Sequence, residues 1–451
     1  MAIAATVEWE CRTTGTAGNA NGGGYKPGAS GMDFSQQDAA QYNLTLVTTA
    51  GADAILLSAS AAADMVGNIA HITSGTNFTV GWYEITAVSV GVSITLDRTC
   101  TTAAGAAGVV NIGGAMSLAS TLDDDFFESL EPGNTVHIKS GTYTMGEAVQ
   151  MVKDGTFLLP ININGYNAAR NDNPTGSGRP LLAFGANNCL LGDYVNPNYI
   201  RFTTQAVAGI NLSFGTGTSS HSNNSSVTAG RAAFTLGSTG GSSSGLIASE
   251  AQSVNGKGVA CSHPTPRILG TYIHDCGQEG IQVQAVADQA HIAFNIIDTC
   301  VTLIEIAAGA IRSSIINNTL YNGTTGISNL NTAADEALVM NNILSTLTTG
   351  LSAPQNTKSN VYIYNTLHNC TTPRTNVDAG IGDDTLDPAF TDAPNGNFAV
   401  GANMKATSFP GAFSGGLSTG YLDRGAVQRQ EPAGGSSGGA RIMINGSVSG
   451  G

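Results

Sequence analysis

"IINNTLYNGTTGI", residues 315–327, pairs apolar residues with two adjacent asparagines and then a glycine-centred turn. Asn317 and Asn318 interrupt an apolar run, although asparagine is poorly suited to a strand interior. "NNT" (317–319) and "NGT" (322–324) both fit the glycosylation acceptor pattern. A chain so rich in Asn, Ser and Thr matches that pattern by chance. The arrangement itself returns elsewhere, as "FNIIDTC" (294–300), "NNILSTL" (341–347) and "YNTLHNC" (364–370). Asn295, Asn318, Asn342 and Asn365 follow one another at separations of 23, 24 and 23 residues. "YIHDC" (272–276) adds an earlier coil, with Thr271 in the asparagine position 24 residues before Asn295. A period in the low twenties with short strands predicts a solenoid.

Each column of this alignment has a physical reading. Two places before the asparagine stand Leu269, Ala293, Ile316, Met340 and Ile363; two places after it stand Ile273, Ile297, Leu320, Leu344 and Leu367. Both columns are expected to point inward, with the asparagine at a left-handed bend between them. Side-chain amides stacked at the ~4.8 Å strand spacing then bond from coil to coil, which makes Asn295, Asn318, Asn342 and Asn365 a structural ladder. Five places after the asparagine come Cys276, Cys300, Gly323, Leu347 and Cys370, read as small core fillers. Seven cysteines without a CxxC pair argue against a disulfide framework or a zinc site.

On these residues the chain resembles the right-handed parallel β-helix proteins of the pectate-lyase-like superfamily, over roughly residues 130–425. "NTVHIKSGTYT" (134–144) with "PININGYNAARNDNP" (160–174) resembles the first coil of such helices. "DDTLDPAFTDAPNGNFAV" (383–400) with "GYLDRGAVQ" (420–428) resembles their closing coils. The expected class is all-β: a right-handed parallel β-helix solenoid preceded by a small N-terminal β module. The expected domains are the module at 1–115, the β-helix at 116–429 with a capping helix in "STLDDDFFESLEPG" (120–133), and a flexible Gly/Ser tail at 430–451 ending in a strand-like "RIMI". "GWYEITAV" and "SITLDR", within 61–100, resemble small β modules of tailed-phage structural proteins, and the opening "VEWECRTTG" resembles phage virion openings.

The bulk composition agrees with an all-β reading. Of 451 residues, 58 are glycine, 41% are hydrophobic and 11% are charged. That balance excludes disorder of the whole chain. A net charge of −14 with no basic run excludes phosphate-backbone binding. No stretch reaches the ~20 apolar residues of a membrane span, and the opening residues have no secretory pattern.

Outward side chains three places after the asparagine are His274, Asp298, Tyr321, Ser345 and His368. His274, Asp298, Tyr321 and His368 are candidate ligand-binding residues. Asp275, Glu279, Asp298 and Glu305 are the carboxylates that a glycosidase pair would draw on, weighed against a merely solvated face. Asp383, Asp384 and Asp387 lack EF-hand spacing, so no metal and no cofactor is expected. The resemblance implies a structural protein of a tailed-phage virion (tailspike, fibre or capsid decoration), made in the host cytoplasm and released by lysis. Its implied partners are other virion proteins through the N-terminal module, a host-surface glycan, and copies of itself, a trimer being favoured. The alternatives are a polysaccharide-degrading lyase or glycoside hydrolase on the same β-helix, and an extracellular bacterial adhesin; the reading leans away from an enzyme.

Overall fold

The computed structural model describes residues 7–16, 24–25, 42–117, 123–151, 153–156, 158–185, 187, 189–204, 210–214, 221–223, 226–229, 232–236, 245–332, 336–355, 360–404, 407–408 and 423–428. The tail at 430–451 lies outside them. The chain divides into two compact units, Met1–Thr204 and Gln205–Gly451.

In the second unit, short strands stack in parallel, coil upon coil. One ladder runs through Gly245–Ile247, Arg267–Leu269, His291–Ala293, Ser314–Ile316, Leu338–Met340 and Val361–Ile363. The other runs through Tyr272–Val283, Ile296–Ile306, Thr319–Asn329, Ile343–Ser352 and Thr366–Thr375. Ile297 pairs with Leu320, Leu320 with Leu344 and Leu344 with Leu367, so the sequence columns are register columns. The protein is a parallel β-helix.

The asparagine column is the buried spine of this unit. Asn295, Asn318, Asn342 and Asn365 are each fully buried. Nδ2 of Asn295, Asn318 and Asn342 donates to Oδ1 of the next asparagine at 2.9, 3.0 and 3.0 Å. The same nitrogens donate back to the carbonyls of Ile268, Ile292 and Ile315. Each amide therefore joins three coils. Thr271 begins the line by donating its N–H to Oδ1 of Asn295 at 2.9 Å. Asp383 ends it, its Oδ1 accepting the N–H of Asn365 at 2.8 Å.

Two expectations about these columns need correction. The left-handed residue is the one before the asparagine: Phe294, Asn317, Asn341 and Tyr364 have φ of 57°, 54°, 60° and 56°. That turn advances the side-chain alternation by one place. The inward column consequently lies three residues before the asparagine, at Ile268, Ile292, Ile315 and Val339, all fully buried. Of the column two places before, Ala293 alone is buried; Leu269, Ile316, Met340 and Ile363 are half-exposed. Ile273, Ile297, Leu320, Leu344 and Leu367 are buried as the pattern requires. Cys276 and Cys300 are buried free thiols, whereas Cys370, on the last strand of its ladder, is half-exposed.

The first unit contains parallel coils and an antiparallel module. Six strands, Tyr42–Val47, Ile55–Leu57, Ile69–Phe78, Gly81–Ser89, Ser93–Leu96 and Thr101–Ile112, form the module. Leu56, Met65, Ile72, Ile85 and Val110 belong to its own core. Residues 8–16 do not belong to this module, although the expected 1–115 domain contains them. Strand Glu8–Thr16 pairs in parallel with Thr135–Lys139, which pairs with Ile161–Tyr166 and, through it, Val195–Asn198. Trp9 and Cys11 alternate inward on that strand and are fully buried, so it is a coil strand by pattern as well as by pairing. The capping helix spans Asp123–Ser129, shorter than the 120–133 stretch, and buries Phe126 and Phe127. Trp9 meets Phe126 at 5.4 Å and Trp82 of the module at 6.2 Å. Both contacts are edge to face, the arrangement that the ring quadrupoles favour. Among the described residues no helix is long and apolar enough to cross a membrane.

Candidate functional site

The outward stripe divides into an open half and a covered half. In the open half, His274 lies between two carboxylates. Its Nδ1 is 2.9 Å from Oδ2 of Asp275 and its Nε2 is 3.3 Å from Oε1 of Glu250. The Tyr272 ring stacks on the imidazole, centroids 4.4 Å apart. Nε2 of Gln252 donates to Oδ2 of Asp275 at 3.1 Å. Burial opposes charging His274, but hydrogen bonds to Glu250 and Asp275 outweigh it and raise its pKa. Asp298 is one coil on, in register with His274. Burial pushes its carboxyl pKa up and the charge of Asp275 adds to this. The hydrogen bond it accepts from Thr299, at 2.8 Å, acts in the other direction.

Position in the coil explains these placements. Asp275, Thr299 and Asn322 occupy a second left-handed column, with φ of 49°, 52° and 55°. Asp275, expected as a catalytic candidate, is therefore a bend residue whose carboxylate holds His274. Glu279 lies after the bend, with Nζ of Lys257 3.5 Å away. Glu305 accepts from Nε2 of Gln282 at 2.8 Å. The four candidate carboxylates thus fall into a group around His274 (Asp275, Asp298) and a group around Lys257 and Gln282 (Glu279, Glu305).

The other half meets the closing segment. Phe390 and Phe398 pack edge to face on Tyr321, centroids at 6.0 and 5.5 Å, and Phe398 is fully enclosed. Ser345 is buried and lies 3.2 Å from Nδ1 of His368, whose Nε2 lies 3.8 Å from Asp387. The His368 side chain keeps 30% of its surface exposed, whereas Tyr321, expected to bind ligand, seats the closing segment. The acidic cluster serves the same end. Nη1 of Arg424 is 2.6 Å from Oδ2 of Asp384, and Nη2 of Arg374 is 2.7 Å from Oδ2 of Asp383.

A polar cluster of the first unit gave no sequence signal of its own. Arg170 donates from Nη1 to Oε2 of Glu8 and from Nη2 to Oε2 of Glu10, both at 2.8 Å. Glu10 is fully buried and also bonds Arg12 and Tyr166. Glu8 is held below its ordinary value chiefly by His137, with a smaller contribution from Arg170, against burial. The members are 160 residues apart in sequence, so only the pairing of Glu8–Thr16 with the first coil brings them together. Among the described residues no cluster of His, Cys, Asp and Glu is arranged to hold a metal.

No protein-family model matches the sequence, and no curated relative matches it. Among solved structures the chain is similar to pectate lyase Pel9A, with 16% identity over 70% of this chain and 92% of that one, and a TM-score of 0.46. It is also similar to the catalytic unit of a thermostable GH87 α-1,3-glucanase from Streptomyces thermodiastaticus strain HF3-3, with 11% identity over 76% and 89% of the two chains and a TM-score of 0.31. Likeness this distant transfers neither a site nor an activity.

Proposed function

We propose that the protein is a structural β-helix protein displayed on the surface of a tailed-phage virion, where its solenoid engages a host-surface polysaccharide. The observation that supports this reading most is the construction of the first unit. A six-stranded module with its own core is fixed through Trp82 to Trp9 and Phe126 of the first parallel coil. Such a module is suited to hold other virion proteins, with the coils as the displayed part. The open half of the stripe supplies donors and acceptors for sugar hydroxyls from Gln252, His274, Asp275, Thr299 and Asn322. Self-association, as a trimer, is part of the proposal.

Cleavage of the bound polymer is a second reading, favoured by one observation. Burial raises the pKa of the Asp298 carboxyl, the direction a general acid of glycoside hydrolysis requires. Bacterial surface polysaccharides incubated with the protein and sized by light scattering separate the readings. Co-elution with chains of unchanged length, lost in His274→Ala, supports binding. Shortened chains, absent with Asp298→Asn, support cleavage. Neither outcome with any surface polysaccharide of the host contradicts both. Antibody labelling of purified particles tests the location: unlabelled virions remove it.

A further inference from the structure

We infer that the first unit carries a separate binding site for a neutral saccharide of one or two rings, in the cavity framed by residues 167–178 and Ser140. The cavity has a volume of about 570 Å³ and is lined by Ser140, Asn167, Asp172, Asn173, Thr175 and Ser177. That volume is within the range of small-molecule sites. The cavity contains none of the stripe residues and nothing from the second unit.

The loop that frames this cavity is rigid. The Asp172 carboxylate accepts the N–H groups of Asn167, Ala168 and Ala169 at 3.1, 2.7 and 3.3 Å. Arg170, between these residues, is clamped to Glu8 and Glu10. Asn171 and Asn173 hold left-handed φ of 65° and 50°, which asparagine tolerates better than most residues. The Gly176–Gly178 turn closes the far side, with the Gly178 N–H on the Thr175 carbonyl at 3.0 Å. A loop fixed at both ends and in its middle presents a preformed concavity and loses little freedom on binding.

The lining is polar and almost uncharged. Asn167, Asn173, Thr175 and Ser177 are exposed and Ser140 is half-buried, so their side-chain hydroxyls and amides are open to a ligand from solution. They are three hydroxyls and two amides, groups that both donate and accept, as sugar hydroxyls do. Burial opposes the charge on Asp172, the one ionised group, but the backbone N–H groups it accepts outweigh this and lower its pKa. Its negative charge, on a chain of net charge −14, disfavours acidic sugars. Pro174 is the one apolar lining residue, too little for an apolar ligand.

The test is titration of the full chain with maltotriose, cellobiose and lactose, with trigalacturonate as an acidic control and calcium chloride as a cation control. The side-chain amide NMR signals of Asn167 and Asn173 report occupancy. One neutral sugar should shift both signals, and Asn173→Gly with Ser177→Ala should weaken it by roughly tenfold or more without lowering the melting temperature. Asn173→Gly keeps the left-handed backbone, so a loss of affinity does not come from misfolding. Three results overturn the inference: no neutral sugar shifts the amides; affinity is the same in the double variant; or calcium or trigalacturonate is the preferred ligand. Retention of polysaccharide by the stripe depends on His274 and not on Asn173, so the two sites fail independently.

Discussion

Asn318 shows how a polar residue holds a fold together when its amide has several partners. Its side chain serves Asn295 and Asn342, so Asn318→Leu strands groups on both neighbouring coils. The expected cost is about 1–3 kcal/mol, read as a lower urea midpoint at unchanged slope. The column was legible because the asparagine recurs every 23 or 24 residues. The phase of the apolar column before it was not. One left-handed residue shifts the alternation, and Phe294 or Tyr364 gives no hint of that conformation. Thiol accessibility follows the corrected columns. Cys276 and Cys300 should resist labelling until unfolding, while Cys370 labels slowly in the native state. Burial pushes the Cys370 thiol up to about 11, so roughly one molecule in a thousand carries the thiolate at about pH 8. His274 gives a pH signature. Its folded pKa is raised above 6.5. Its stabilisation is therefore fully present below that value and is lost as pH rises through the folded pKa. His274→Gln should flatten stability against pH on the alkaline side of 6.5, measured by urea denaturation at several pH values.

At the scale of elements, the closing segment and the first strand carry what the period does not describe. Residues 383–404 and 423–428 close the second unit by packing on its outer side. Arg424 donates to Asp384, to Thr366 at 3.0 Å and to the carbonyls of Gly382 and Thr407. Its own side chain is 4% exposed. Arg424→Ala leaves the partly enclosed Asp384 without its cation, and the expected loss is about 3 kcal/mol. Hydrogen exchange should place that loss in 383–404 first, with the coil strands still protected. The Asp383–Asp384 pair is readable as an acidic cluster, but its role as the end of the amide spine depends on a turn that no local pattern announces. Strand Glu8–Thr16 escaped for a related reason: its partner, Thr135–Lys139, lies beyond the whole antiparallel module. The first coils also run longer than the later ones. Asn196 bonds Asn162 across 34 residues. The 167–178 loop is inserted between them, which hides the shorter period there.

For the molecule as a whole, a repeat of 23 or 24 residues becomes a solenoid only if each coil is locked to the next. Apolar columns alone set which side faces inward; they do not fix the rise from coil to coil. The backbone hydrogen bonds of the stacked parallel strands set that rise, and the buried amides reinforce it, each with a partner above and a carbonyl below. A regularly spaced polar exterior then follows as a consequence of the coil repeat. The two proposed sugar sites, the stripe around His274 and the loop recess at 167–178, both lie on this exterior. The most direct measurement of this account is hydrogen exchange at the backbone N–H groups of Asn295, Asn318, Asn342 and Asn365. Each donates to the side-chain oxygen one step along the spine, at 3.0, 2.9, 3.1 and 2.8 Å. All four should exchange only with global unfolding of the second unit, and Asn318→Leu should accelerate Asn295 before the rest. Exchange of any three at the rate of exposed loops would contradict a buried asparagine spine.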